Sequence, residues 1–361
     1  MMIETIKPKL SVLFIGLKYD YGDPARGYSY EYLNFFDTMM KMKNVSVTLF
    51  PFDEVMRNIG RSKMNHSLLE MVEKINPDIC FFFLFTDEIK KDTIRAITEK
   101  KKTITLNWFA DDHWRFEIFS KFWAKLFHYV VTTDKQSIEN YMREGCHNVI
   151  LSQWGYNHHL IKPLTSNEKY DVTFVGQAHS NRIRLINNLR KHGINLICWG
   201  KGWPNGRLTH EEMIKIILSS KINLNFTESS FGFRLKPLMK IFLRRRADDS
   251  IRFNSFKVIS SHIPLLFRKN RSQIKGRNFE IPGLGGFLLT ESTNDIGDYF
   301  IPDREIAIFS TEDELRYKID YFLTNDDERE MIRKAGQQRV LMEHTYEKRF
   351  EHIFKQIFGY K

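Results

Sequence analysis

The stretch KGRNFEIPGLGGFLLTE, residues 275–291, holds two cations, a lone glutamate among apolar residues, a glycine pair and a short apolar run. Residues 274–284 read as a helix, Gly285-Gly286 ends it sharply, and residues 286–290 read as a strand. A glutamate is rarely buried without a partner, so Glu280 on so apolar a helix requires one. Helix, glycine stop and apolar strand together form one repeat of an α/β sheet. The rest of the chain repeats that unit.

In the first half, LSVLFIG (10–16), VSVTLFPF (45–52), residues 78–86, TITLNWF (103–109), YVVTTD (129–134) and residues 148–156 read as strands. Polar or amphipathic helices are expected between them at 28–42, 63–75, 87–100, 114–126 and 135–144. Residues 158–170 are polar, contain a proline and read as a linker. A second alternation follows, with strands at 171–176, 194–200, 221–226, 286–290 and 305–309. Helices are expected at 181–192, 209–219, 274–284, 311–323 and 326–341, and a terminal one at 345–358. Short, wholly apolar strands separated by helices indicate parallel sheets covered on both faces. Two Rossmann-like domains in tandem are therefore expected, over 1–160 and 168–342, with residues 343–361 returning as a helix to the first.

The 361 residues suit two domains, and 42% hydrophobic with 27% charged residues is ordinary for a globular chain. MMIETIKPKL lacks the apolar core of a signal peptide, and no apolar run approaches the ~18 residues of a membrane span. Cys80, Cys146 and Cys198 lie far apart in no metal-binding spacing, which suits a reducing cytoplasm. Net charge is +11, and residues 229–271 alone hold eleven Lys/Arg against two Asp. So local an excess points to a local anionic partner and away from a generic nucleic-acid binder.

DVTFVGQAHSNR (171–182) runs from a strand that ends at Gly176 into a helix opened by Arg182. Backbone N–H groups and one cation at such a turn suit a diphosphate; a plain strand-to-helix turn reads the same way. Neither GxGxxG nor GxxxxGK[ST] is present. Arg277 and Glu280, three apart on a helix, share a face beside Lys275. A carboxylate there can accept bonds from vicinal ribose hydroxyls while the cations neutralise phosphates. The alternative is that Arg277 and Glu280 pair with each other. ADDHW (110–114) follows a strand, at the sheet edge where α/β folds bind ligands. Asp111 or Asp112 there can accept a proton from a ligand hydroxyl and His113 can hydrogen-bond a ligand; equally, Asp112 would cap a helix. His158-His159 looks like a metal pair without further ligands in the neighbouring sequence, and reads better as a hinge pair.

KGRNFEIPGLGGFLLTE, followed by residues 301–354, resembles the C-terminal half of the CgeB-like (spore maturation) glycosyltransferases, group 1 relatives with the GT-B fold. The resemblance covers roughly 170–228 and 272–354, with LNWFADDHW and VTTD…YMREGCHNVI…GYN adding support in the first half. It implies a nucleoside-diphosphate sugar held by the C-terminal domain through Gly176, Arg182, Lys275, Arg277, Glu280, Gly285 and Gly286. Glu280 matches the second glutamate of the group's Glu–seven residues–Glu pattern, whereas the first position is Ser272. A glycan, lipid-linked or protein acceptor would meet the N-terminal domain, across an interdomain cleft. No metal or cofactor is expected, and retention of configuration is implied.

Residues 229–271 interleave apolar side chains with Arg234, Lys236, Lys240, Arg244, Arg245 and Arg246. That suits an anionic membrane surface, a polyanionic acceptor, or an ordinary insertion with solvated cations. A cytoplasmic enzyme, peripheral on the inner face of the membrane, is the resulting expectation. Two rival readings remain. One is a nucleotide-sugar epimerase on the same fold, and the other is a degenerate, non-catalytic membrane-binding protein.

Overall fold

The computed structural model describes residues 9–100, 102–160, 168–227, 243–245, 251–253 and 272–359. Two compact units emerge among them, one drawn from Met1–Gln153 with Arg349–Lys361 and the other from Trp154–Arg234 with Asn270–Lys348. Each carries its own parallel sheet.

In the first unit, β1 (Leu10–Gly16), β2 (Val45–Pro51), β3 (Ile79–Phe82), β4 (Ile104–Phe109), β5 (Tyr129–Thr132) and β6 (Val149–Leu151) pair in the order β2-β1-β3-β4-β5-β6. All neighbours are parallel; Val12 lies opposite both Val47 and Ile79. Because both faces are covered, β1 (apart from Ser11) and β3 are apolar at both alternating sets of positions. Leu13, Ile15, Phe82 and Leu84 face a core with Met64, Leu68 and Phe116. On the opposite face Phe35 meets Phe14, Phe81 and Trp108 edge-on or stacked. Phe350, from the terminal helix Tyr346–Phe358, completes that face at 5.4 Å from Phe35 and 5.9 Å from Phe81.

The second unit contains β7 (Tyr170–Val175), β8 (Leu196–Trp199) and β9 (Ser220–Asn225). Next in the chain comes a short antiparallel ribbon, β10 (Leu243–Arg245) with β11 (Ile251–Phe253), which sets Arg244 opposite Arg252. The second sheet is completed by β12 (Leu288–Glu291) and β13 (Ala307–Phe309), in the order β13-β12-β9-β7-β8. Arg246 and most of the basic segment lie outside the described residues.

Three expectations need correction. The helix expected over 63–75 is present, but as the second arm of a kinked helix, Phe52–Ile75, whose unexpected first arm is set off from it by Gly60 (φ 78°). Residues 114–126 do not form one helix. A single turn, Asp112–Arg115, is followed by short 3-10 turns at Ser120–Phe122 and Ala124–Leu126. Ser120 donates to Asp112 at 2.5 Å, a bond across eight residues that would lie ~12 Å apart along a continuous helix. The helix expected over 28–42 contains a π-helical turn at Tyr32–Phe36 before Asp37–Lys41. No helix among the described residues is long and apolar enough to cross a membrane.

Candidate functional site

Order reverses between β7 and β9 in the second sheet, and the carboxyl edge at such a switch point is where open α/β sheets bind ligands. β7 runs into Gly176, whose N–H donates to the Trp199 carbonyl and whose own carbonyl accepts from Trp203 Nε1, both at 2.9 Å. A side chain at Gly200 (φ 132°) would strike that carbonyl, so the loops after β7 and β8 meet backbone to backbone. The helix Ser180–Lys191 follows. From its first turn Arg182 reaches back, with Nη2 donating to the Phe226 carbonyl at 3.0 Å and Nη1 to the Gln177 carbonyl at 3.2 Å. Its guanidinium lies 5.6 Å from the Phe174 ring centre. Arg182 therefore spans the switch point itself.

The helix Arg277–Leu284 is anchored to the same edge by a buried amide network. Asn278 Oδ1 accepts from the Lys275 N–H at 2.9 Å and from Asn225 Nδ2 at 3.1 Å. Nδ2 of both asparagines donates to Thr290 Oγ1 at 3.1 Å. Asn225 ends β9 and Thr290 lies one residue from the end of β12, so the helix starts where those strands finish. Lys275 and Arg277 thus join Arg182 at one edge. Just beyond, the Thr227 N–H and hydroxyl both donate to Glu291 Oε2, at 2.8 and 3.0 Å.

Glu280 sits one turn into the helix, only 5% exposed, and its partner is Arg277, as the three-residue spacing allows. Its charge reaches two further groups. The Tyr156 hydroxyl is pushed well above its ordinary range, by burial first and by Glu280 second. That hydroxyl is buried and has no hydrogen-bond partner among the described residues. His210 is lowered by burial, which Glu280 opposes and Arg277 reinforces. His210 opens the helix His210–Leu218 behind a capping box of Thr209 and Glu212, with 2.7 Å from the Thr209 N–H to Glu212 and 3.2 Å for the return bond. Neither Tyr156 nor His210 was expected from sequence. The T-x-x-E pattern at 209–212 is a helix-start signal, but it carries nothing about what the first residue of that helix faces.

Gly285 and Gly286 lie at the other end of the Arg277–Leu284 helix, about 12 Å away for eight residues. Gly285 adopts φ 90° as the C-cap, its carbonyl accepts from Arg333 Nη1 at 2.8 Å, and added side chains would meet Gln337 and Ile217. Capping and packing account for both glycines.

In the first unit the order reverses between β1 and β3. The loop after β1 is pinned by buried Asp53, whose carboxylate accepts from the Lys18 and Tyr19 N–H groups at 2.9 and 3.0 Å. It presents stacked Tyr19, Tyr28 and Tyr32, and Tyr21 meets Phe85 of the loop after β3 at 5.4 Å. Asp111, Asp112 and His113 follow β4 on this edge. Asp111 takes a left-handed conformation (φ 60°) as the N-cap residue, without a side-chain capping bond. Asp112 is not the cap: it accepts hydroxyl bonds from Ser120, Thr132 and Tyr141 and is buried with them. That removes it as a base facing an acceptor. Asp111 stays half-buried at the edge, and His113 is buried.

Residues 182–355 match the family model described as glycosyl transferase-like. No curated protein matches the chain in sequence. Among solved structures, the chain is similar to sucrose-phosphate synthase (tll1590) from Thermosynechococcus elongatus, at 10% identity and TM-score 0.60, over 97% of this chain and 100% of that one. HepE of Anabaena in complex with UDP matches at 9% identity and TM-score 0.55, over 97% and 100%. The lipopolysaccharide outer core galactosyltransferase WaaB, in its apo form, matches at 11% identity and TM-score 0.54, over 97% and 99%. The fold is GT-B, built from two Rossmann-like units.

Proposed function

We propose that this protein transfers a glycosyl group from a nucleoside-diphosphate sugar to a glycan, lipid-linked or protein acceptor, as a member of the CgeB-like branch. One observation carries the reading. Arg182, Lys275 and Arg277 gather with buried Glu280 around the carboxyl edge of the second sheet, on a fold that HepE shares in its UDP complex.

In the transfer, the bond from the anomeric carbon to the diphosphate oxygen breaks and a bond to the acceptor oxygen forms. Negative charge grows on the departing diphosphate, and the three cations stabilise it most where water is excluded. Arg182 is held by two backbone carbonyls, so its orientation is fixed before the donor arrives. Glu280 accepts the ribose hydroxyls, sharing its oxygens with Arg277. Asp111 takes the acceptor proton. Retention of configuration and the hexosyl nature of the group follow from the resemblance.

A thermal-shift screen against UDP-, GDP-, dTDP- and CMP-sugars tests donor binding, because a ligand of the folded state raises Tm with concentration over Kd. Product analysis with candidate acceptors then tests transfer. Conversion of the nucleotide sugar to an isomer without an acceptor would identify an epimerase instead, and no response to any nucleotide would leave a non-catalytic protein.

A further inference from the structure

His158 and His159 stand beside Glu347, a residue from the far end of the sequence. His158 Nε2 lies 3.3 Å and His159 Nε2 3.5 Å from the same carboxylate oxygen, Glu347 Oε2. The imidazoles stack with centroids 3.9 Å apart, and the three ligand atoms all fall within 4.8 Å of one another. The sequence reading of the pair as lacking a third ligand is corrected by this fold.

Backbone pairing builds the cluster. Tyr156 N–H donates to the His344 carbonyl and Tyr346 N–H to the Tyr156 carbonyl, both at 3.0 Å, closing a parallel bridge between Tyr156 and Thr345. Gly155 permits the approach, since a side chain there would lie 2.9 Å from the His344 oxygen. Glu347 follows in the first turn of the helix Tyr346–Phe358, and His158 and His159 follow in the turn after Tyr156. Fully buried Asn157 fixes that turn by accepting the His159 N–H at 3.0 Å. The three side chains thus hang from one rigid crossing within a single unit.

We infer that His158, His159 and Glu347 form a binding site for a divalent transition metal, with zinc the best match. A zinc ion with ligands at ~2.0–2.1 Å in a tetrahedron sets neighbouring ligand atoms roughly 3.3–3.4 Å apart. The two His-to-Glu edges, at 3.3 and 3.5 Å, are close to that length, and binding would turn the stacked rings apart so that both nitrogens face the ion. Two imidazoles and one carboxylate suit zinc, cobalt or nickel better than magnesium or calcium, which prefer oxygen. The carboxylate also offsets the ion's charge in a half-buried place, and water fills the remaining position. Such an ion would fasten the turn at residues 157–159 to the start of the terminal helix. It lies outside the donor-binding groups proposed above and takes no part in their chemistry.

The test uses the full chain, stripped by a chelator and titrated with Zn²⁺ by calorimetry and thermal shift. One tight equivalent and a raised Tm are expected, and the Co²⁺ form should show the intense absorption of four-coordinate geometry. Glu347→Gln, nearly isosteric, and His159→Ala should each weaken that equivalent by at least about tenfold. Circular dichroism checks that both variants remain folded. Unchanged Zn²⁺ affinity in both folded variants, or no saturable equivalent in the parent, would overturn the assignment.

Discussion

The Tyr141 hydroxyl donates to Asp112 Oδ2 at 2.7 Å, with both groups buried. Hydroxyls of Thr132 and Ser120 also favour the ionised carboxylate, yet burial outweighs all three donors and lifts Asp112 to about 6. An unfolded aspartate titrates near ~3.9, so the folded chain holds this proton more tightly. Folding then takes up a proton between about pH 4 and pH 6. The stability this group contributes is present below that window and declines as pH rises through it, by about 3 kcal/mol. Urea unfolding of wild type and Asp112→Asn from about pH 4 to about pH 7 checks it. The advantage of wild type over the variant should shrink with rising pH; growth instead would mean that the hydroxyls win.

The same contacts separate two aspartates that sequence treats alike. Asp111→Asn should lower kcat while donor affinity stays near wild type, because it alters the acceptor step only. Asp112→Ala should leave three buried hydroxyls without their acceptor and cost about 2–4 kcal/mol of stability. Its per-molecule rate, measured on the folded fraction, should persist. A reversed pattern in the two variants contradicts these roles.

Glu280→Ala should weaken binding of the cognate nucleoside diphosphate by roughly 1–3 kcal/mol, the loss of a charged acceptor for ribose hydroxyls. Calorimetry on folded wild type and variant provides the comparison. A matching loss for the nucleoside lacking phosphates would place the contact on the ribose; a loss confined to the diphosphate would assign it to Arg277, released from its partner. Equal affinities remove Glu280 from the site.

The excess of nine positive charges over residues 229–271 predicts association with anionic vesicles. Each cation near such a surface contributes about 1 kcal/mol, and added salt screens it. Co-sedimentation should therefore need anionic lipid and weaken at high salt. Replacing Arg244, Arg245 and Arg246 by glutamate should release the protein; sedimentation that ignores the triple change leaves the segment an ordinary surface.

Strands were the legible part of this fold. All eleven strands expected for the two sheets appear, since a buried strand reads as a short, mainly apolar run bounded by turn residues and too short for a helix. Helix limits were less legible where a single residue redirects the chain, as at Gly60 or where Ser120 folds back on Asp112. The pairing of Arg277 with Glu280 could be named from local spacing, because the two lie one turn apart. Tyr156, His210 and Glu347 could not. Each acts across more than a hundred residues or through a neighbouring helix, and only the folded chain brings such pairs together.

The terminal helix has a consequence for synthesis. Phe350 covers Phe35 and Phe81, so the sheet built from residues 10–151 lacks part of its aromatic cover until residue 350 is made. At ~5–20 residues per second, translating from Gln153 to Arg349 takes on the order of 10–40 s. Throughout that interval the nascent sheet offers an uncovered row of phenylalanines, the kind of surface a ribosome-bound chaperone holds. A stop codon just before Arg349 would make that waiting state permanent.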